Sequence, residues 1–122
     1  KTPIEYCERN YSKKGAQFYL SGLPSKMADF NVMSGTFNFA PYLTVNAWRN
    51  YLFSSLNSIW NLTRCSMIFN LMISNEDKIT SQSISYIRQE TILNFCQSNF
   101  GATSKYFSSK LPREITFCIS KM

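Results

Sequence analysis

The residues of this chain whose types and spacing could do chemistry are four cysteines and two sequons. The cysteines are Cys7, Cys65, Cys96 and Cys118, and the sequons are Asn10-Tyr11-Ser12 and Asn61-Leu62-Thr63. The chemistry they suggest belongs to the secretory pathway, where thiols are oxidised in pairs and asparagine amides are joined to sugar. Catalysis is harder to assemble. The sequence has no histidine, so it lacks the commonest general base, the commonest metal ligand and the usual near-neutral pH switch. Its many serines have no imidazole to activate them, and no glycine-rich phosphate loop is present. The adjacent acids Glu76 and Asp77 fall in an expected turn, where solvent would reach them. Glu114 and Arg113 are neighbours, but neighbours on a strand point to opposite faces. A zinc site would have to draw on four scattered cysteines, whereas structural zinc ligands normally come in close pairs. No catalytic residue, metal site or cofactor is expected, and the chain reads as a non-enzyme.

The elements that must position these residues fit one domain spanning 1–122, since a chain of 122 residues supports a single core. Aromatic residues make up 16% of it, with ten Phe and seven Tyr, so it can bury enough apolar surface to fold. The clearest element is a helix over about 45–62. Val45, Trp48, Leu52, Leu56, Ile59 and Trp60 recur at the spacing of one helical face, Thr44 can cap the start, and Pro41 lies upstream. Asn61 projects to solvent at the end of the opposite face. Met67–Ile73 reads as a strand covered on both faces, and Glu114–Ile119 alternates as a second strand. Ile4–Cys7, Gln17–Leu20 and Thr36–Phe39 are shorter strand candidates. Residues 83–96 fit two strands with a turn near Gln89-Glu90 better than a helical stripe of Ile84, Ile87, Thr91 and Phe95.

The expected fold is therefore α+β, with one long helix packed on an antiparallel sheet. The alternative, a four-helix cytokine-like bundle, needs helices at 83–97 and in the N-terminal third. Gly15, Gly22, Pro24, Gly35 and Pro41 interrupt that third.

Four cysteines allow three pairings, and sequence does not choose among them. Cys7–Cys118 and Cys65–Cys96 are expected, because the first joins the terminal strand candidates and the second ties the helix end to a strand in the same half. The net charge of +6 favours anionic partners. A Cys7–Cys118 bridge would gather Arg9, Lys13 and Lys14 near Lys105, Lys110, Arg113 and Lys121. Tyr11, Tyr106 and Phe107 lie among these cations, a combination suited to stacking bases above a phosphate-binding floor. No apolar run reaches the ~18 residues of a membrane span. The chain opens at Lys1 with no apolar leader after it, as a processed secretory chain would.

With Cys7 near the start, Cys118 near the end, a helix at 45–62 and no histidine, the organisation resembles the ribonuclease-like secreted effectors of powdery-mildew fungi. That resemblance implies a ribonuclease-like fold without its catalytic residues. It also implies secretion, delivery into host cells, and a host protein or immune receptor as partner. The expected function is that of a secreted non-catalytic binding protein of this kind. The alternatives are an RNA- or polyanion-binding module and a cytokine-like ligand.

Overall fold

The computed structural model describes residues 2–101, 104–108 and 113–121, except for the side chains of Lys14 and of 104–108. The chain opens with a helix, α1 (Pro3–Tyr11), where a strand was expected at Ile4–Cys7. Its start shows why. The Glu5 N–H donates to Thr2 Oγ1 at 3.2 Å, the Thr2 N–H donates to the Glu5 carboxylate at 3.4 Å, and Pro3 fills the first turn. This capping box satisfies two donors that a helix start otherwise leaves open. A short 3₁₀ turn follows (Ser12–Lys14) and ends on Gly15 at φ +83°, a left-handed conformation natural to glycine. No regular structure forms at Gln17–Leu20, against expectation.

The centre of the chain is a strand–helix–strand unit. Strand β1 (Ala28–Met33) leads through a loop to α2 (Val45–Asn61), and α2 leads to β2 (Thr63–Met72). The Ala47 N–H donates to Thr44 Oγ1 at 3.1 Å, so Thr44 caps α2 as its sequence position suggests. Because a helix intervenes, β1 and β2 run parallel. A hairpin of β3 (Lys78–Ile79) and β4 (Ser85–Tyr86) follows, then α3 (Gln89–Phe100), β5 (Ser104–Ser108) and β6 (Glu114–Ser120). The main sheet has the order β1-β2-β6-β5, and both contacts of β6 are antiparallel.

These observations correct the expected class. The fold is α+β, but the described residues form three α-helices rather than one, and the main sheet is mixed rather than antiparallel. A ribonuclease-like single helix on an antiparallel sheet is therefore not the arrangement, and neither is a four-helix bundle. The expected pair of strands at 83–96 is β4 followed by α3. Ile92, Leu93, Phe95, Cys96 and Phe100 all belong to the core or pack on it, which a helical repeat allows and strand alternation does not. Thr36–Phe39 is also not a strand. Only Phe39 pairs there, bridging Ile84.

Both α2 and α3 contribute to one buried cluster with a single face of the sheet. Trp48, Leu52, Leu56 and Ile59 of α2 join Ile92 and Cys96 of α3, Met67, Phe69 and Leu71 of β2, and Phe117 and Ile119 of β6. Register makes this possible by setting Met67 opposite Ile119 and Phe69 opposite Phe117. Phe95 stacks on Phe53 with ring centroids 4.0 Å apart and joins the two helices. The other face of the sheet carries Phe30, Val32, Ile68 and Cys118, and Phe30 and Val32 are exposed.

Two substitutions test this arrangement by denaturant unfolding. Leu56→Ala, at a fully buried position, is expected to cost about 2–5 kcal/mol. Thr44→Ala is expected to cost about 1 kcal/mol through loss of the cap.

Candidate functional site

The most distinctive surface of the molecule lies between Phe39 and Leu43, just ahead of α2. Upstream, the chain is pinned to the β3–β4 hairpin. The Ala40 N–H donates to Ser83 O at 2.8 Å, the Ser85 N–H donates to Asn38 O at 3.0 Å, and Phe39 bridges Ile84. Below the loop, the Phe37 carbonyl accepts the Trp48 indole N–H at 3.0 Å and the Ser85 hydroxyl at 2.6 Å. Downstream, Thr44 starts α2. Ala40 is buried, yet Phe39, Tyr42 and Leu43 are exposed, and nothing shields the Tyr42 ring.

Tyr42 also has φ +64°. A bulky residue in the left-handed region is strained, at a cost on the order of 1–3 kcal/mol. The ring recovers none of that cost by burial. The loop is thus a fixed display of two aromatic rings and a leucine, held in place at both ends. Rigid exposed aromatics of this kind supply contact area with little conformational entropy to lose, which is the usual make-up of protein-binding hot spots.

The cysteines do not pair as expected. All four are free thiols: Cys96 is buried, Cys7 and Cys118 are half-buried, and Cys65 is exposed. Cys96 points into the core from α3, while Cys65 lies on the surface of β2, and that separates the proposed Cys65–Cys96 pair. The other pair would join α1 to the middle of β6. Burial pushes the Cys96 thiol up to about 12, because a thiolate there would lose its hydration.

The expected cationic zone rested on the Cys7–Cys118 bridge, which is absent. Arg9, Lys13 and Arg113 are all exposed. Lys110 lies outside the described residues, and of Lys14 and Lys105 only the backbone is described. Lys121 serves the fold instead. Its ammonium donates to the carbonyls of Trp60 and Thr63 and sits 4.7 Å from the Trp60 ring centroid. Asp77, expected to be solvated, accepts from Arg49 at 2.6 Å and from the Arg88 N–H at 2.8 Å, tying α2 to the start of α3. Both sequon asparagines, Asn10 and Asn61, are exposed. The Asn10 amide donates to Tyr6 O at 2.8 Å.

Among the described residues, no cluster of three or more cysteine or carboxylate side chains is placed to hold a metal, and no helix is long and apolar enough to cross a membrane. Comparison of the chain with known protein families, with curated proteins and with solved structures finds no match.

Sequence reasoning took Phe39 for a strand end and Pro41 for a helix flank, and it passed over the loop between them. The available signal was composition. A run of Phe-Ala-Pro-Tyr-Leu directly before a helix cap is unusually apolar for a connection that should be polar.

Thiol chemistry tests the cysteine assignment. Unfolded in denaturant without reductant, the protein should titrate four thiols, and a count of zero would restore two disulfides. In the native state Cys65 should alkylate first and Cys96 last. The raised Cys96 value means that the folded state holds a proton which the unfolded thiol gives up. Stability contributed by the neutral thiol is therefore complete below about pH 9 and lost as pH rises towards 12. Unfolding midpoints across that window should fall less steeply in Cys96→Ala than in the parent.

Proposed function

We propose that this chain is a secreted, non-catalytic binding protein that docks on a partner protein through the Phe39–Leu43 loop. The observation that carries this reading is Tyr42, a fully exposed ring on a strained backbone between two anchored ends. Strain at a ring that the fold does not bury suggests a use for the side chain outside the fold. The partner proposed is a host protein or host immune receptor, as the effector resemblance implies. Exposure of Asn10 and Asn61 leaves room for glycans acquired during secretion. Free thiols at all four cysteines suit a reducing interior, where an effector delivered into host cells would meet its target.

The alternative, recognition of RNA or another polyanion by Arg9, Lys13, Lys14, Lys105, Lys110 and Arg113, has less support now that Lys121 is committed to the fold and no disulfide gathers the rest.

The test compares the parent with Tyr42→Gly and Phe39→Ala in capture from plant-cell extract. Tyr42→Gly should reduce specific capture at least about tenfold, the effect of losing a hot-spot side chain. It should do so with an unchanged or higher unfolding midpoint, because glycine relieves the left-handed strain. Capture that survives both substitutions would remove the loop from the function. Binding to RNA or heparin that weakens with salt and is lost in an Arg9→Glu, Lys13→Glu, Arg113→Glu variant would put the polyanion reading in its place.

A further inference from the structure

A cleft of about 590 Å³ opens between β1, α2 and the segment from Gln17 to Ser25. That volume falls within the roughly 300–1,000 Å³ of small-molecule sites. Its lining is unusual in one respect. Among the described residues, no aspartate, glutamate, lysine, arginine or cysteine contributes to it, although the chain as a whole is strongly basic. The walls carry hydroxyls, side-chain amides and aromatic rings instead.

Ser55 is the central feature. It sits inside α2 at 8% exposure and faces the cleft. A serine in a helix interior commonly donates to the carbonyl four residues back, in this case that of Tyr51. Ser55 makes no such bond, and its hydroxyl has no partner among the described residues. Its Oγ is therefore not sealed off but opens to the cleft, where a ligand hydroxyl can take the place of the water that would otherwise bond to it. Asn31 supplies a second polar group to the lining. Its amide nitrogen donates to Leu62 O at 3.2 Å and to Thr63 Oγ1 at 2.8 Å, which fixes the side chain and leaves Oδ1 as an acceptor. Tyr51 lies one helical turn before Ser55, so ring and hydroxyl share one stripe of α2. The Tyr51 ring rests on Phe37 in an edge contact, with centroids 6.2 Å apart. Across the cleft, the Tyr19 hydroxyl donates to Gln17 Oε1 at 2.7 Å.

These groups constrain what can bind. A charged ligand would lose its hydration without meeting a counter-charge. A wholly apolar ligand would seal Ser55 Oγ and Asn31 Oδ1 away from any partner. A ligand that satisfies both limits is neutral, has several hydroxyls, and has a C–H face to lay on an aromatic ring. We propose that the cleft binds a neutral saccharide unit, with its C–H face on Tyr51 and its hydroxyls bonded to Ser55 and Asn31. This site is separate from the Phe39–Leu43 loop and does not depend on the loop's role.

The test screens the intact chain of 122 residues against an array of neutral glycans (glucans, mannans and N-acetylglucosamine oligomers) beside heparin. The best neutral glycan is then titrated by calorimetry. Saturable binding that does not change from low to high salt is expected. Ser55→Ala, which removes little beyond the hydroxyl, and Tyr51→Ala should each weaken that binding about tenfold, the scale of one lost buried hydrogen bond or ring contact. Tyr42→Gly should leave it unchanged, so failure of the protein-docking loop and failure of this site give different results. An array with no neutral glycan bound overturns the proposal. So does a bound glycan indifferent to Ser55→Ala, or affinity for heparin alone.

Discussion

The Phe37 carbonyl oxygen accepts two buried hydrogen bonds, and much of the molecule is arranged around it. The Trp48 indole reaches it from α2 and the Ser85 hydroxyl from β4. Three stretches are held at one atom: the segment after β1, the first turns of the long helix, and the small hairpin, which lies much further along the chain. Each partner is buried, so leaving any of them unpaired would incur the desolvation cost of a polar group. The constraint fixes the 36–40 segment, and the two proposed sites lie to either side of it. Phe37 lines the cleft directly, and the exposed loop begins two residues later.

Burial of one face of the sheet determines the rest. Helices α2 and α3 cover the face bearing Met67, Phe69, Leu71, Phe117 and Ile119, and those side chains interdigitate in one cluster. Alternation along the strands then sends Phe30, Val32, Ile68 and Cys118 to the opposite face. Charged groups serve this scaffold in places where surface chemistry would be the simpler expectation. Asp77 joins Arg49 to the Arg88 backbone, and Lys121 bonds a carbonyl in the last turn of α2 and one at the start of β2 while lying over Trp60. Each connects elements that have no neighbour relation in sequence.

Local signals in the sequence were legible where one residue type has one structural meaning. Thr44 capped the long helix as its position suggests, and the apolar spacing from Trp48 to Ile59 buried the expected stripe. Thr2-Pro3-Ile4-Glu5 carries an equally local signal, a capping box, which outweighs the strand-like run Ile4–Cys7. In 89–100, apolar residues at Ile92, Leu93, Phe95, Cys96 and Phe100 fit a helix better than a strand once Phe100 is counted. The cysteines depart from expectation for a different reason. An even cysteine count in a small chain suggests disulfides, but pairing is a property of distance, and distance is set by the fold.

What the sequence determined by itself was the periodicity of its elements, the caps that start them, and the absence of histidine. These depend on interactions within a few residues along the chain. The tertiary structure alone decided that β1 runs parallel to β2, that Cys96 faces the core, and that Tyr42 stands unshielded on a strained backbone. It also decided that Ser55 and Asn31, separated by the end of β1, a loop and the first half of α2, line the same cleft. Those outcomes follow from packing and pairing between distant segments, which the order of residues does not display.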